Sequence, residues 1–342
     1  MTPNKKHRFY FIILSVTLIF CFILNVSLGS VIIPWSAIGN SFINGPVEKE
    51  SWRIIILSYR IPKACTAILT GGCLGVSGLV MQTFFRNPLA GPFVLGISSG
   101  ASLGVAILIL GGAFIFTETS FFIPNWQLII ASSLGSMILL TIVLLVSRKV
   151  KDTMSILIIG LMFGSMTAAV VGILSYFAPA ELLQRYIFWS LGSLGNVSWA
   201  DLLYYLITSV LGILIILFCI KPLNLLLLGE NYAKSTGISI QKIKILVIIS
   251  TGLLAGGVTA FAGPIAFIGL AIPHLTRLLV KTSDHQISLP TVFLTGSILL
   301  LLCDTIAQLP GLPLTLPINA VTAIIGAPVV IWLLVKKRKL LF

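Results

Sequence analysis

The chain has 342 residues, of which 57% are hydrophobic and only 9% are charged, and this excludes a water-soluble domain. Its formal net charge of +13 arises from 22 basic and 9 acidic residues, which basic loops facing anionic lipid explain without nucleic acid as a partner. The sequence holds no phosphate-binding loop, HExxH or GxSxG motif, so it gives no indication of an enzyme.

Ten apolar runs follow one another along the chain, and a helix needs roughly 20 apolar residues to cross a bilayer core about 30 Å thick. The sequence therefore predicts an all-α integral membrane fold with ten transmembrane helices. The first run lacks a small-x-small cleavage site, which favours an uncleaved anchor over a signal peptide. The runs lie at 9–29, 62–84, 94–114, 127–147, 153–174, 202–220, 243–262, 264–280, 288–308 and 317–335.

The distribution of basic residues predicts the orientation of the chain. With Met1 in the cytoplasm, ten crossings place seventeen of the 22 basic residues on the cytoplasmic side, as the positive-inside rule requires. We therefore expect a multi-pass membrane protein with both termini in the cytoplasm. The basic residues left outside are Lys49, Arg53, Arg60, Lys63 and Arg185.

Two similar segments indicate an internal repeat. Residues 90–97 read AGPFVLGI and residues 262–270 read AGPIAFIGL; in the predicted topology they lie on opposite sides of the membrane. Transporters use inverted repeats to build two gates that open alternately around one pathway. We predict copies at about 60–175 and 243–335 within a single permease domain of residues 1–342.

The polar segment 221–244, here called the elbow, is predicted to form two short helices interrupted at Gly229 and Gly237. Such a segment either lies on the membrane surface or docks into a groove on another protein. These two alternatives cannot be separated by the pattern of residues alone.

Few charged side chains fall inside the apolar runs. Asp304 is the one acidic residue there, and its burial cost requires protein or water around it. It is either a proton-coupling residue or, as we prefer, a hydrogen-bonded structural acid near the outer end of the ninth helix. His274 and His285 are interpreted as polar caps rather than a metal pair, and the five cysteines as small packing residues.

Five segments carry a family resemblance: RIPKACTAILTGGCLGVSGLVMQTFFRNPLAGPFVLGISSGASLG, LLGENYAKSTGIS, GPIAFIGLAIPHLTRLL, DHQISLP and LPINAVTAIIGAPVVIWLL. In order and spacing they resemble the iron-siderophore and vitamin B12 permease family of bacterial ABC importers. The resemblance implies a type II importer permease. It would pair with a second permease subunit, two cytoplasmic ATPases and an extracytoplasmic substrate-binding protein. It also implies that ATP and Mg bind to partner subunits and that this chain needs no cofactor.

The resemblance also implies three groups of site residues. Coupling to the ATPase would involve Gly229, Glu230, Ala233 and Gly237. The cytoplasmic gate would involve Asn87, Leu89 and Thr153. Docking of the binding protein would involve Arg60 and Lys63, and Gln308 stands where the family often has a further basic residue.

The family's commonest substrate makes a ferric siderophore the first expectation, followed by haem or cobalamin. Whether the second permease is another copy or a related chain stays open. The competing class is a secondary transporter driven by protons or sodium, which also has about ten helices and inverted repeats. For that class Asp304 would be the coupling acid.

Overall fold

The computed structural model describes residues 3–29, 31, 33–43, 45–111, 123–150, 153–309 and 314–336, and no β-strand occurs within them. Each of the ten predicted runs coincides with an apolar helix, which confirms the all-α class. The helices are α1 (Pro3–Ser27), α2 (Ile61–Phe84), α3 (Ile97–Ile109), α4 (Asn125–Lys149), α5 (Thr153–Phe177), α6 (Trp199–Phe218), α7 (Ile240–Ala262), α8 (Ile268–Val280), α9 (His285–Ala307) and α10 (Ile318–Lys336).

Seven helices of the described part are long and apolar enough to cross a membrane, while α3, α8 and α10 supply shorter apolar stretches. Both α3 and α8 have 13 residues, or about 20 Å at a rise of 1.5 Å per residue. This is less than a hydrocarbon core of about 30 Å. Ten apolar helices of the described part correspond to the ten predicted runs, and the predicted count of ten crossings is approximate because three of these helices are shorter.

A Gly-Pro pair precedes each of the two 13-residue helices. The first is Gly91-Pro92, followed by the 3-10 turn Pro92–Leu95 and Gly96 at φ 77°. The second is Gly263-Pro264, and there Asn319 Oδ1 accepts from Ala266 N–H at 3.0 Å. Hydrogen bonds of this kind are needed because broken backbone is tolerated at membrane depth only where other groups satisfy it.

The order of elements repeats along the chain. A long helix, a Gly-Pro break, a 13-residue helix and two further helices occur as α2 to α5 and again as α7 to α10. The repeat copies at about 60–175 and 243–335 stay a prediction. The opposite orientation of the two copies in the membrane stays a prediction.

The contacts divide the chain into two compact units, each assembled from separate stretches. The first contains Met1–Val76, Ser193–Leu206 and Ile265–Phe342, and the second contains Ser77–Gly192 and Ile207–Pro264. Neither unit coincides with a predicted repeat copy. The single domain of residues 1–342 stays a prediction.

In the first unit α2 and α9 cross at glycines. A Cβ built on Gly71 would overlap the carbonyl oxygen of Gly296, and a Cβ on Gly296 would overlap that of Gly71. Ser297 Oγ also donates to Ile68 O at 2.8 Å across the same crossing. Small residues permit close helix approach in membranes, where dispersion and interhelical hydrogen bonds drive association.

In the second unit α3 packs on α4 in the same manner, since a Cβ on Gly104 would overlap the carbonyl of Ala131. Val105 and Ile109 of α3 belong to a buried apolar cluster, which Tyr186 and Trp189 cover. Both aromatic residues lie on the helix Ala180–Ser190. The sequence did not predict this helix.

The helical chain before α2 begins earlier than predicted. A short α-helix Glu50–Ile54 and a π-helical segment Ile55–Arg60 run directly into Ile61, so the helical chain begins before the predicted run of 62–84. Ile61 N–H bonds to Ile56 O, and in this register Pro62 leaves the Leu57 carbonyl without a backbone donor. The indole Nε1 of Trp199 donates to that carbonyl at 2.9 Å.

Candidate functional site

The elbow forms the two short helices that the sequence predicts, Ile220–Leu227 and Glu230–Ser235. Gly229 lies between them at φ 128°, and Gly237 follows the second at φ 84°. Gly237 N–H donates to Lys234 O at 3.0 Å and Ile238 N–H to Ala233 O at 3.2 Å, which is a Schellman motif. The two glycines therefore set the shape of the elbow through backbone angles that other residues rarely adopt.

The second elbow helix holds two of the predicted coupling residues. Glu230 occupies its first position, where a carboxylate interacts favourably with the helix dipole. Ala233 is completely buried, and its part in coupling stays a prediction. This helix packs against the first elbow helix and α7, and Ala233 is the residue that it buries.

Exposed apolar side chains of the elbow were missed at the level of sequence. Leu227, Leu228 and Tyr232 are exposed, Leu228 to 67%, and together they form what we call the elbow patch. Leu227 and Leu228 end the run LNLLLL. That run indicated a helix but not which of its leucines face outward. An exposed apolar patch rimmed by polar residues is typical of a surface that contacts another protein or lipid.

The turn of residues 85–91, here called the gate turn, follows α2. Asn87 Oδ1 accepts from Leu89 N–H at 2.9 Å, and Ala90 N–H donates to Asn87 O at 3.0 Å. Asn87 therefore shapes the turn with its own side chain, whereas Leu89 is exposed. Thr153, the third predicted gate residue, is the first residue of α5; its side chain lies outside the described part.

The gate turn and the elbow are in direct contact. Arg86 Nη2 donates to Leu226 O at 2.7 Å, although the two residues are 140 positions apart. Arg86 is the first residue of the segment RNPLAGP, and no role was predicted for it. No local pattern indicates that its side chain reaches the first elbow helix.

In the first unit, Asp304 lies at the centre of a buried polar cluster and is only 2% exposed. Its carboxylate accepts from Lys63 Nζ at 3.0 Å, Asn25 Nδ2 at 2.9 Å and Gln308 Nε2 at 2.8 Å. The cluster joins α1, α2 and α9. This arrangement agrees with the hydrogen-bonded structural acid that the sequence analysis preferred.

Arg60 is also turned inward, being only 9% exposed. Its guanidinium donates to Val26 O at 2.7 Å and Ser27 O at 2.9 Å, and also to Val31 O. It thereby caps the carbonyl end of α1, where a positive charge is favourable. The prediction of Arg60 as an exposed docking residue is therefore wrong, whereas the side chain of Lys63 keeps 22% of its surface exposed.

The two histidines and the cysteines offer no metal centre. His274 and His285 are both buried, and the described residues contain no group of three potential metal ligands. Four of the five cysteines are buried. For the cysteines this agrees with their interpretation as packing residues.

An all-α, multi-pass chain with two broken-helix segments and a helical elbow has the architecture of a membrane transport permease. The model of the FecCD transport family matches residues 17–336, and the chain belongs to this family. It is a permease subunit of an ABC importer and not itself an enzyme. The family resemblance inferred from the five segments is thus confirmed.

Curated relatives and solved structures agree with this assignment. The vitamin B12 import system permease protein BtuC of Salmonella typhi is 36% identical over 307 residues, covering 89% of each chain. BtuC of Shigella boydii serotype 18 is 34% identical over 338 residues, covering 98% of each chain.

One solved structure matches with a TM-score of 0.82 and 30% identity, covering 95% of this chain and 98% of the other. It is described as an inward-facing conformation of an ABC transporter that is assigned provisionally to the metal-chelate type. PsaBC from Streptococcus pneumoniae in complex with Fab matches at 17% identity with a TM-score of 0.53, which supports the fold alone.

Proposed function

We propose that this chain forms, with a second permease subunit, the pathway of an ATP-driven importer for a bulky metal chelate, with a ferric siderophore as the first candidate substrate. The contact between the gate turn and the elbow is the observation that carries the proposal. It joins a surface suited to a partner protein, the elbow patch, to the turn that would close the pathway. A permease driven by a separate ATPase needs such a connection.

The pairing of Asp304 argues against a secondary transporter. A coupling acid must exchange its proton with water during transport, whereas Asp304 is buried and accepts from Lys63, Asn25 and Gln308. Opening this site to water would separate a buried ion pair, which is costly.

Cobalamin is the second candidate substrate, because the relatives at 34–36% identity are vitamin B12 permeases. A ferric siderophore keeps the first place because the sequence resembles a family in which it is the commonest substrate. Both candidates are large metal chelates, which agrees with the chelate type assigned to the structure matched at a TM-score of 0.82. Haem is the remaining alternative.

The partners proposed are a second permease, two ATPase subunits that bind ATP and Mg, and an extracytoplasmic binding protein. In this assembly the elbow docks on an ATPase, and the gate turn with Thr153 forms the inner gate. The chain lies in a bacterial cell membrane with both termini in the cytoplasm. It carries no cofactor of its own.

Uptake into proteoliposomes tests this function. The permease, co-purified with its ATPase and its binding protein, is supplied with radiolabelled ferric siderophore or radiolabelled cobalamin. We expect uptake of one chelate with ATP and none with a non-hydrolysable analogue. Uptake driven by a proton or sodium gradient without ATP would overturn the proposal, and the preferred chelate decides between the two substrates.

The elbow glycine Gly237 provides a test of coupling. A Cβ there meets no atom within 4 Å, yet the backbone is at φ 84°, so Gly237→Val disturbs the elbow by backbone strain rather than by collision. We expect uptake per ATP hydrolysed to fall about tenfold, since a strain of roughly 1–2 kcal/mol must be relieved by rearrangement. Gly237→Asn, which tolerates this conformation, is the control and should retain most coupling. Equal coupling in both variants would refute the role of the elbow.

For docking of the binding protein, the structure leaves Lys63 as the better candidate of the predicted pair. Because Lys63 also pairs with the buried Asp304, correct folding of Lys63→Gln is verified first; we then expect it to slow association of the binding protein by up to about fivefold at low salt. Lys49→Gln, which removes a charge predicted on the same side, is the control. Identical association rates for the two variants and the unmodified chain would remove Lys63 from the docking surface.

A further inference from the structure

Arg86 occupies an unusual position at the end of α2. Its backbone has φ 47°, a left-handed conformation that is uncommon for residues other than glycine. Phe84 and Phe85, just before it, are buried with their rings edge to face at 5.2 Å. The backbone thus changes direction at Arg86, immediately after the two buried phenylalanines, while the Arg86 side chain extends to the elbow.

The acceptor of Arg86 is a carbonyl in the last turn of the first elbow helix. Leu226 O receives Arg86 Nη2 at 2.7 Å and Gly229 N–H at 3.2 Å. Carbonyl groups at the end of a helix carry partial negative charge, and a cation that bonds to them is held more firmly than a neutral donor. The guanidinium therefore caps the first elbow helix from outside the elbow.

Gly229 lies beside the guanidinium. A Cβ built on Gly229 would come to 3.5 Å from Arg86 Nη2, which is an ordinary van der Waals contact. The residue that bends the elbow is thus a direct neighbour of the group that ties the elbow to the gate turn. A change in the bend would act on the guanidinium first.

The gate turn is braced so that it can transmit a displacement. Asn87 N–H bonds to Gln82 O at 3.2 Å and its side chain bonds to Leu89 N–H at 2.9 Å. Exposed Leu89 is therefore fixed relative to Arg86 by short hydrogen bonds within the turn. A pull on Arg86 would move Leu89 with it.

We propose that Arg86 is a positioning residue that couples the elbow to the gate turn, through its bond to the Leu226 carbonyl. This rests on the proposed function, in which the elbow receives the movement of an ATPase. Loss of the bond leaves the ATPase able to bind the elbow and hydrolyse ATP, but the gate turn no longer follows.

The test compares Arg86→Met with Arg86→Lys in the complete importer in proteoliposomes. Methionine keeps an unbranched side chain without a donor, whereas lysine retains one charged donor. We expect Arg86→Met to lower uptake per ATP hydrolysed by about tenfold, as for loss of one charge-assisted hydrogen bond, with hydrolysis itself within about twofold. Arg86→Lys is expected to recover a substantial part of this loss.

A second readout follows the gate turn directly. A spin label on Leu89→Cys should change its mobility between nucleotide-free and ATP-bound complexes, and Arg86→Met should abolish this change; the chain without that cysteine serves as the blank. Arg185→Ala is the matched control, because Arg185 Nη2 also donates to a backbone carbonyl, that of Ile123, at 3.0 Å. It should leave both the label response and the uptake ratio unchanged.

The outcomes separate this inference from the proposed function. If the unmodified importer shows no uptake with ATP, the proposed function fails. If it transports with ATP and Arg86→Met keeps both the uptake ratio and the label response, the coupling role of Arg86 is overturned. If uptake per ATP hydrolysed falls equally in Arg86→Met and Arg185→Ala, the coupling role is likewise overturned. The bond of Arg86 would then contribute only to general stability.

Discussion

Asp304→Leu is expected to lower the free energy of unfolding by about 3–5 kcal/mol, the loss typical when one member of a buried ion pair is removed. The reason is that Lys63, Asn25 and Gln308 all donate to this carboxylate and would lose their common acceptor. The measurement is unfolding of the purified permease in mixed micelles titrated with SDS. Asp304→Asn, which retains one carbonyl oxygen, should lose less.

The double variant Asp304→Leu with Lys63→Met tests whether the loss of stability arises from the unpaired charge of Lys63. Removing both charges should recover much of the lost stability, because an apolar pair of similar volume needs no buried counter-charge. The secondary-transporter alternative makes the opposite prediction for Asp304→Asn, namely full stability with uptake abolished. That result would support Asp304 as the coupling acid of a secondary transporter.

Gly296→Val is expected to separate α2 from α9 and to prevent stable assembly of the permease in most molecules. A Cβ at Gly296 would overlap the carbonyl oxygen of Gly71, and an overlap with backbone cannot be relieved by a rotamer change. Overpacking usually costs about 1–3 kcal/mol and occasionally more, and we expect the upper end here. The measurement is the yield of monodisperse protein after extraction, together with its thermal unfolding midpoint.

Gly172→Val on α5 is the matched control for Gly296→Val. A Cβ there meets nothing within 4 Å, while the change of residue and the apolar helical setting are the same. It should leave the unfolding midpoint within a few degrees of the unmodified chain. Similar losses in both variants would attribute the effect to helix propensity instead of the close α2–α9 crossing.

The ten apolar helices and the two elbow helices could be predicted because each depends on neighbouring residues. Run length determines whether a helix is compatible with the membrane, and the Gly-Pro pairs at 91–92 and 263–264 mark the breaks by local backbone preference. Gly229 and Gly237 marked the elbow in the same way. The helical segments Glu50–Ile54 and Ile55–Arg60 before α2 were not predicted, because the hydrogen bond of Trp199 to the Leu57 carbonyl is a tertiary contact.

Only the tertiary structure decided which side chains face inward and which partners they meet. Arg60 caps α1, Ala233 is buried on the inner side of its own elbow helix, and Arg86 meets a carbonyl 140 positions away. Local propensity carries no information on these pairings, because it depends only on the nearest few residues. A buried charge or donor must find its partner in whatever element packs against it, and the packing of distant helices determines which element that is.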